Sequence, residues 1–468
     1  MLNRREAMIL AGASLLARPA LAAECGPWSG PPAPAGLMRP GEWLGHGATW
    51  MAYGATVRAW GNAQDTAFDR DLSNSRTVAR QDLMRMAATL SRFESVVMLV
   101  SDADDNAEAQ DLLRRVIAAE APKDQFGAEL DQSGRIYIGR DRKPTDLPAI
   151  GTHPVMFLIA PMDDLWTRDT APIFANAPGA GLCGVNGNFN GWGQWPISTG
   201  LCDWRKDPMK TANGVIDQFV EGDRQTAAFV NAHLGRPEVA TWLTLEGGGL
   251  EVNGHGLGLA MASYIVNPNR NPGKSEADIV AEFTRLFGIE RMLWMPGVPG
   301  EELTDWHVDF TARFAGANRI VHAFDRNWEP EGNRNEVALL AGVAAVNDLP
   351  AADRAKLLGG ADRLTLHALP VPRIEEVYRA YASRDHDLTI TERDLEEFIL
   401  STAPGYVGFY YANGAVVMGQ FGDVEADLAA FEVVQALHPD RIVVQISTDG
   451  LASGGGTIHC ATQEQPLT

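Results

Sequence analysis

The sequence predicts an α/β fold, and two features indicate it. Short apolar runs rich in β-branched residues alternate along the chain with longer stretches in which apolar residues recur every three or four positions. Such alternation is typical of sheets covered by helices. In addition, 45% of the 468 residues are hydrophobic and 21% are charged, which is the composition of a globular protein with a large core.

The predicted strands and helices follow from these two periodicities. The strands are the continuous apolar runs at 96–100, 155–160, 257–266, 319–324, 415–418 and 441–446. The clearest helices are the stretches with one apolar face at 78–93, 107–119, 275–287, 374–382 and 425–437. We found no repeat or nucleotide-binding glycine motif that would assign a more specific α/β fold from the pattern alone.

Residues 1–22 have the pattern of an export signal. Arg4 and Arg5 precede an apolar run at 7–17, and the triplet Ala-Leu-Ala at 20–22 resembles a cleavage site. The arginine pair favours the twin-arginine route, with an ordinary secretory signal as the alternative. We therefore expect a periplasmic or secreted protein. The mature form should carry no membrane anchor, because no other segment reaches the roughly 18 consecutive apolar residues of a membrane span.

Residues 23–40 are rich in proline and glycine and are expected to be an irregular lead-in. No later change of composition resembles a linker, so residues 41–468 are predicted to form a single catalytic domain. In an oxidising compartment Cys183 and Cys202 could form a disulfide, and the sequence leaves this open.

The formal net charge of -21 argues against nucleic acid or an anionic membrane surface as a partner. A small cationic substrate suits such a charge. Acidity that serves solubility alone is the alternative.

Reactive side chains and glycines concentrate in four separate segments. These are DDLWTRDTAPIF at 163–174, LEGGGLEVNG at 245–254, DWHVDFTARF at 305–314 and GGGTIHCATQEQP at 454–466. Catalytic groups are often gathered from several loops of one scaffold. We therefore expect these segments to contribute to the active site.

Cys460 is a candidate nucleophile. It follows three glycines and His459, so the backbone there can turn sharply and direct N–H groups towards the sulfur. A buried structural cysteine is the alternative.

The other segments supply candidates for proton transfer and for cation binding. His307 and Asp309 are two residues apart, so on a strand both would point to one face, where an imidazole and a carboxylate suit proton transfer. Glu246 could orient a histidine, and Trp166 could form a wall for a flat cation near Asp169. Each of these residues taken alone could equally be structural.

Two other hydrolase classes are disfavoured. A zinc site usually contains ligand pairs such as C-x-x-C or H-x-x-x-H, and a serine hydrolase contains G-x-S-x-G; the sequence has none of these motifs. The sequence therefore gives no support to a zinc hydrolase or a serine hydrolase.

Together these segments resemble the agmatine deiminases and their bacterial relatives, the peptidyl-arginine deiminases. The resemblance extends from residue 40 to residue 466, with the motifs in the order of the family. Besides the four segments above it includes EWLGHGATWMAY at 42–53, NFNGWG at 188–193 and YANGAVVMGQFGD at 411–423.

The resemblance implies a pentein-type fold, an α/β propeller of about five ββαβ units around a pseudo-fivefold axis. It also implies that the thiolate of Cys460 attacks a guanidinium carbon, that His307 transfers protons, and that Asp169 and Asp309 bind the guanidinium nitrogens. Glu246 would orient His307. Further substrate contacts are expected from Trp166, His459, Asn190 and Trp192.

The implied reaction converts agmatine to N-carbamoylputrescine and ammonia, which belongs to polyamine metabolism and putrescine biosynthesis. Deimination of peptidyl or free arginine to citrulline is the alternative, and an exported binding protein for cationic ligands is a more distant one. The resemblance also implies an enzyme with no metal and no cofactor. Relatives often pair, so a homodimer is possible, although the sequence alone does not reveal the oligomeric state. Three residues depart from its usual pattern, Ala171, Asn253 and Gly408, where members more often carry glycine, aspartate and asparagine.

Overall fold

The computed structural model describes residues 33–60, 67–120, 137–139, 146–193, 210–211, 214–215, 220–300, 302–323, 331–384 and 402–467. The predicted export signal, most of the lead-in and Cys202 lie outside these residues. Cys183 is a buried free thiol. No described helix is both long enough and apolar enough to cross a membrane.

The strands in chain order are β1 His46–Ala52, β2 Val96–Val100, β3 Val155–Ile159, β4 Ile173–Ala177, β5 Gly181–Val185, β6 Lys210–Thr211, β7 Gly214–Val215, β8 Glu238–Val239, β9 Glu251–Val252, β10 Leu257–Met261, β11 Arg291–Met295, β12 Ala312–Phe314, β13 Arg319–His322, β14 Thr365–Ala368, β15 Tyr410–Ala412, β16 Ala415–Gln420, β17 Ile442–Ser447 and β18 Gln463–Pro466.

The helices are α1 Val57–Trp60, α2 Ala67–Leu90, α3 Ala103–Glu120, α4 Thr167–Thr170, α5 Asp223–Leu234, α6 Ala262–Ile265, α7 Glu276–Phe287, α8 Glu331–Asn347, α9 Ala351–Leu357, α10 Ile374–Arg384, α11 Val424–Leu437 and α12 Asp449–Ser453. Short 3-10 turns lie at Gly247–Gly249, Val308–Phe310 and Tyr406–Gly408.

These elements form two compact units, each assembled from separate parts of the chain. The first unit contains Gly45–Thr167 and Leu369–Gln465. The second contains Arg168–Ala368 together with the described parts of Arg18–Leu44 and Pro466–Thr468. The single domain expected for residues 41–468 stays a prediction.

In the second unit one pattern builds three sheets. Each sheet begins with two antiparallel strands. A helical segment follows, and the third strand then pairs in parallel with the second strand. The three sheets are β4-β5-β8, β9-β10-β11 and β12-β13-β14. A parallel neighbour requires a long crossover, which α5, α7 and the pair α8–α9 supply. The core between these elements includes Leu259, Phe283, Leu293 and Ile320, all fully or almost fully buried.

The first unit uses the same pattern once, in β15-β16-β17 with α11 as the crossover. Its hairpin turns at Asn413 and Gly414, and Gly414 has a φ of 77°, which glycine adopts without steric cost. The other sheet of this unit has the order β18-β1-β2-β3, in which β1, β2 and β3 are parallel and α2 and α3 are the crossovers. Within the described residues, the alternation of strands and helices is therefore as predicted.

Most predicted elements are confirmed with small changes at their ends, and two are wrong. The run 257–266 is not one strand: β10 ends at Met261 and α6 follows directly. An apolar run of this kind cannot by itself distinguish a buried strand from a buried helix. The segment around His307 is not a strand either, because the 3-10 turn Val308–Phe310 begins there.

Candidate active site

The predicted site residues are divided between the two units. Asp169, Asn190, Trp192, Glu246, His307 and Asp309 belong to the second unit, whereas Trp166, His459 and Cys460 belong to the first. The second unit brings its catalytic candidates into one buried cluster, which we call the His307 cluster: Asp169, Glu246, His307 and Asp309.

His307 lies between two carboxylates of this cluster. Its Nε2 is 3.3 Å from Oε2 of Glu246, and its Nδ1 is 3.8 Å from Oδ1 of Asp169. The imidazole and the ring of Tyr264 form a T-shaped pair, with ring centroids 4.9 Å apart and an interplanar angle of 86°. Since His307 is only 1% exposed, both ring nitrogens interact with protein carboxylates in a nearly dry environment.

The backbone before His307 adopts an uncommon conformation. Asp305 and Trp306 have φ values of 59° and 78°, in the left-handed region that costs a non-glycine residue about 1–3 kcal/mol. The carboxylate of Glu302 holds this bend by accepting hydrogen bonds from the backbone N–H groups of Thr304 and Trp306. The bend directs His307 into the cluster from the start of a 3-10 turn, not from a strand as predicted.

Asp169 accepts two further hydrogen bonds. The indole N–H of Trp192 donates to Oδ2 at 2.9 Å, and the backbone N–H of Gly248 donates to Oδ1 at 3.1 Å. Burial raises the pKa of Asp169 to about 6, with Glu246 and Asp309 adding to the effect, although His307 and Trp192 oppose it. Asp169 therefore changes charge close to neutral pH.

The pKa values of His307 and Glu246 are displaced so that both residues are charged at neutral pH. Burial alone would lower the pKa of His307, but Asp169, Glu246 and Asp309 outweigh burial and raise it to about 9. Burial alone would raise the pKa of Glu246, but Arg270 and His307 bring it below its ordinary value. His307 is thus a cation that can donate a proton.

Gly248 lies in the middle of the His307 cluster. A Cβ atom at this position would lie 2.9 Å from Nδ1 of His307, 3.0 Å from Oδ2 of Asp309 and 3.1 Å from Oδ1 of Asp169. The three polar atoms thus converge on one side of Gly248, and only glycine lets them approach so closely.

The neighbouring glycines have separate packing reasons. A Cβ at Gly247 would lie 2.3 Å from the carbonyl oxygen of Arg168, and one at Gly249 would lie 2.1 Å from the ring of Tyr264. The hydroxyl of Tyr264 donates to the carbonyl oxygen of Glu246 at 2.9 Å. The triple glycine after Glu246 therefore allows three close approaches that together shape the cluster.

Sequence reasoning missed Arg270. Its Nε donates to both carboxylate oxygens of Glu246, at 3.0 and 2.8 Å, and its Nη1 donates to Oδ2 of Asp305 at 2.7 Å. The signal available was weak. Arg270 lies in the short run Asn-Arg-Asn-Pro after an apolar segment, and a buried arginine must have acidic partners.

In the first unit Cys460 is 6% exposed, and its Sγ lies 3.5 Å from Oγ1 of Thr457. The backbone N–H of the adjacent His459 donates to the carbonyl oxygen of Gly408 at 3.0 Å. These contacts fix the turn that carries the thiol.

Glycines before this turn accommodate two indole rings. A Cβ at Gly456 would lie 2.2 Å from the ring of Trp166, and one at Gly454 would lie 2.1 Å from the ring of Trp60. The two tryptophan rings are themselves 6.5 Å apart between centroids, and Trp60 donates its N–H to Oδ1 of Asp164 at 2.7 Å. The segment 163–166 and the glycine run are thus packed together in the first unit.

A family model described as Porphyromonas-type peptidyl-arginine deiminase matches residues 38–466. The chain belongs to this family. The agmatine deiminase of Stutzerimonas stutzeri (strain A1501) is 30% identical over 305 residues, which are 65% of this chain and 75% of that protein. The agmatine deiminase of Pseudomonas aeruginosa (strain LESB58) is 27% identical over 305 residues, with the same shares of 65% and 75%.

Solved structures agree with the family assignment. The agmatine deiminase of Enterococcus faecalis has a TM-score of 0.62 at 20% identity, and the match covers 92% of this chain and 96% of that one. A variant of the agmatine deiminase of C. jejuni, solved with substrate bound, has a TM-score of 0.61 at 16% identity, with coverages of 92% and 96%. The predicted pentein-type α/β fold is confirmed, and as a family member the chain is a deiminase, a hydrolase of guanidino carbon–nitrogen bonds.

Two departures from the usual pattern of the deiminase family have structural explanations. Gly408 has no room for a side chain, because a Cβ there would lie 1.9 Å from Oγ1 of Thr457. Asn253 is buried and uses its whole amide on backbone groups. Its Nδ2 donates to the carbonyl oxygens of Ala317 and Leu357, both at 2.7 Å, and its Oδ1 accepts from two nearby N–H groups.

Asn190 of the deiminase motif NFNGWG is also fully buried. Its Nδ2 donates to the carbonyl oxygen of Asn269 at 3.0 Å, and its Oδ1 accepts from the N–H of Gly193 at 2.8 Å. Both contacts stabilise the loop next to Arg270. The substrate-binding role of Asn190 stays a prediction.

Proposed function

We propose that this deiminase hydrolyses agmatine to N-carbamoylputrescine and ammonia through a covalent intermediate on Cys460. The names of its relatives in Stutzerimonas and Pseudomonas support agmatine as the substrate. Peptidyl or free arginine is the second candidate, because the family model is described by a peptidyl-arginine deiminase.

The observation that carries the proposal is the His307 cluster. A guanidinium is a planar cation whose N–H groups match carboxylates in its own plane. Asp169 and Asp309 are two buried carboxylates whose oxygens converge on Gly248, and Nδ1 of His307 lies on the same side. We place the guanidinium in the space beside this glycine. This arrangement combines binding of a flat cation with a proton donor.

In the proposed reaction the thiolate of Cys460 attacks the guanidinium carbon and forms a carbon–sulfur bond. One carbon–nitrogen bond breaks, its electron pair leaves with the nitrogen, and His307 gives that nitrogen a proton so that it departs as ammonia. Neutral His307 then accepts a proton from a water molecule as the water oxygen attacks the same carbon. The carbon–sulfur bond breaks, the thiolate is regenerated and a ureido product is released.

Charges in the second unit favour a substrate without a carboxylate. Within the described residues of this unit, the buried arginines already interact with the protein itself, and one of them, Arg168, lies 3.4 Å from the carboxylate of Glu42. Arg270 binds Glu246 and Asp305, Arg313 binds Glu251, and Arg39 donates to a backbone carbonyl. Free arginine would bring a carboxylate that needs a cationic partner, whereas agmatine would not. This supports agmatine over free arginine.

The test is formation of ureido product from agmatine, free arginine and an arginine-containing peptide. We expect agmatine to give the highest kcat/KM and Cys460→Ala to give no turnover with any substrate. Cys183→Ala is the matched control, since Cys183 is a buried thiol of β5, and it should keep activity. Equal turnover by Cys460→Ala and wild type would disprove the mechanism, and a faster reaction with the peptide would favour the second candidate.

We further propose that the protein is exported through the twin-arginine route, acts in the periplasm or outside the cell, and pairs as a homodimer. The product suits a periplasmic or extracellular supply of putrescine precursors. Residues 1–22 fused to a reporter that matures only after export should direct it out of the cytoplasm. Replacing Arg4 and Arg5 by lysine should stop this, and export of the lysine variant would exclude the route. Sedimentation of the purified protein tests the pairing.

A further inference from the structure

Arg270 is a buried cation that contacts the His307 cluster without facing the space beside Gly248. We propose that Arg270 is a positioning residue of the deiminase, which fixes the carboxylate of Glu246 and the loop of His307 relative to each other. This role rests on the proposed function, since it concerns the proton transfer by His307. It explains why a second acidic residue, Asp305, is buried nearby.

Arg270 fixes the orientation of the Glu246 carboxylate. Nε of Arg270 donates to Oε1 at 3.0 Å and to Oε2 at 2.8 Å, and the same Oε2 lies 3.3 Å from Nε2 of His307. Rotation of the carboxylate would break its contact with Arg270, with His307 or with both. Arg270 therefore selects the one orientation of Glu246 in which an oxygen faces the imidazole.

The other end of the guanidinium holds the loop of His307. Nη1 donates to Oδ2 of Asp305 at 2.7 Å, and Nη2 donates to the carbonyl oxygen of Thr304 at 3.0 Å. These two residues come just before His307, and Asp305 is one of the left-handed positions of the bend. One side chain thus binds both the carboxylate that orients the histidine and the backbone that presents it.

Tyr264 packs between these groups. The guanidinium carbon of Arg270 lies 5.0 Å from the centroid of the Tyr264 ring, and the same ring meets His307 at 4.9 Å. Its hydroxyl also accepts from the backbone N–H of Glu246 at 2.6 Å. A flat, forked cation is required here, because a lysine could neither stack on the ring nor reach three acceptors in one plane.

The consequence concerns the charge of Glu246. Arg270 is the strongest of the groups that keep the pKa of Glu246 low against burial, and ionised Glu246 in turn helps to keep the pKa of His307 high. Without Arg270, burial would favour the neutral carboxyl group. His307 would then lose its proton at lower pH, and the proton donor for ammonia would be depleted in the alkaline range.

The experiment compares Arg270→Gln and Arg270→Lys with wild type in the full chain, measuring kcat, KM and the pH dependence of kcat/KM. For Arg270→Gln we expect kcat to fall by about 10–100-fold, the size seen when a side chain that orients a metal-binding histidine is removed. KM should change by less than roughly threefold, and the alkaline limb should move to lower pH. Compared with Arg270→Gln, Arg270→Lys should bring the alkaline limb of the pH profile part of the way back to its wild-type position, but kcat should recover little.

The matched control is Arg80→Gln. Arg80 is a buried arginine of the first unit with carboxylate partners in Asp105 and Glu108. Its loss should lower stability and leave the alkaline limb of the pH profile in place.

Wild-type kcat and pH dependence in a folded Arg270→Gln protein would overturn the proposal. If Arg270→Gln does not fold, unchanged kcat in Arg270→Lys would overturn the proposal. Failure of both variants to fold would also overturn it, because Arg270 would then be a residue required for stability.

The outcome also separates this proposal from the proposed function. A wild-type protein that forms no ureido product from any guanidino substrate contradicts the proposed function. Activity that requires Cys460 but is indifferent to Arg270 contradicts only the role of Arg270.

Discussion

His307 and Glu246 meet through Nε2 and Oε2 at 3.3 Å, and this contact is one of two that hold the imidazole between carboxylates. The second joins Nδ1 to Asp169 at 3.8 Å. Since both ring nitrogens face negative charge, the doubly protonated form of His307 is favoured. Nδ1 of His307 lies 2.9 Å from the position that a Cβ of Gly248 would take, and we propose that its proton serves the leaving nitrogen on this side of the cluster.

The pH dependence of kcat/KM should be bell-shaped. Asp169, with a pKa raised to about 6, takes up a proton on the acid side and then no longer binds a cation by charge. His307, with a pKa raised to about 9, loses its proton on the alkaline side and can no longer protonate ammonia. Activity should therefore fall below about pH 6 and above about pH 9. A rate that is constant from neutral pH to well above the pKa of His307 would rule out this residue as the acid.

Trp192→Phe should move the acid limb to higher pH. The indole N–H donates to Asp169 and lowers the pKa of this carboxyl, so its removal lets burial raise that pKa further. A hydrogen bond to a charged group is worth about 1.5–3 kcal/mol, so kcat/KM on the acid limb should fall at least roughly tenfold. Trp294→Phe in β11 of the same unit is the control and should leave the profile unchanged. An unmoved acid limb in Trp192→Phe would show that another group titrates there.

Gly248→Ala should abolish turnover while the fold is kept. The added Cβ would lie 2.9 Å from His307 and 3.0 Å from Asp309, and His307 could withdraw only by losing its contacts with Glu246 and Asp169. We expect a loss of at least about 100-fold in kcat/KM, in line with the sensitivity of catalysis to small displacements.

Gly235→Ala serves as the control for Gly248→Ala, because it should lower stability and keep activity. Gly235 ends α5 with a φ of 58°, and a Cβ there would meet nothing within 4 Å. Alanine should cost about 1 kcal/mol of stability through the backbone and leave activity intact. Full activity in Gly248→Ala would mean that the substrate does not enter the space beside this glycine.

Activity should persist after treatment with a metal chelator. The guanidinium of the substrate supplies the positive charge that the carboxylates of the His307 cluster need. The nucleophile is a thiolate, so no metal-bound water is required. Colorimetric product formation with and without chelator measures this, and dialysed enzyme restored with zinc is the comparison. Loss of activity on chelation that zinc restores would contradict the assignment of Cys460 and His307 as the reacting groups.

The sequence predicts much of the fold, because local patterns decide it. β2 begins and ends at the predicted residues, since five consecutive apolar side chains fit a buried parallel strand. α7 begins after Ser275, whose hydroxyl accepts from the N–H of Asp278 in a capping box, and ends at Gly288. Where one apolar run continues from β10 into α6, composition does not change and the boundary could not be predicted.

The sequence reveals the reactive residues of the site but not their supports. Glu246 and His307 stand out beside glycines and acidic residues, whereas Arg270 and Tyr264 lie in an ordinary apolar and asparagine-rich stretch. Arg270 and Tyr264 both contact Glu246, which lies 24 and 18 positions before them in the chain. Only folding brings these residues together. The convergence of His307 and Asp309 was expected for the wrong reason, because a 3-10 turn and not a strand carries them.

Asn253→Asp should destabilise the protein. Nδ2 of Asn253 donates to the carbonyl oxygens of Ala317 and Leu357, both at 2.7 Å, and a carboxylate would place negative charge against both. The loss of two buried hydrogen bonds and the exposure of two carbonyls to a like-charged neighbour should cost about 2–4 kcal/mol.

The control is Asn318→Asp. Asn318 is partly exposed and its amide donates to one carbonyl, so this change should cost much less stability. Thermal unfolding of both variants measures the difference, and kcat of folded Asn253→Asp should stay near that of wild type because all the contacts given above are to backbone groups. A Tm equal to that of wild type would mean that the loop around Asn253 rearranges to accept the charge.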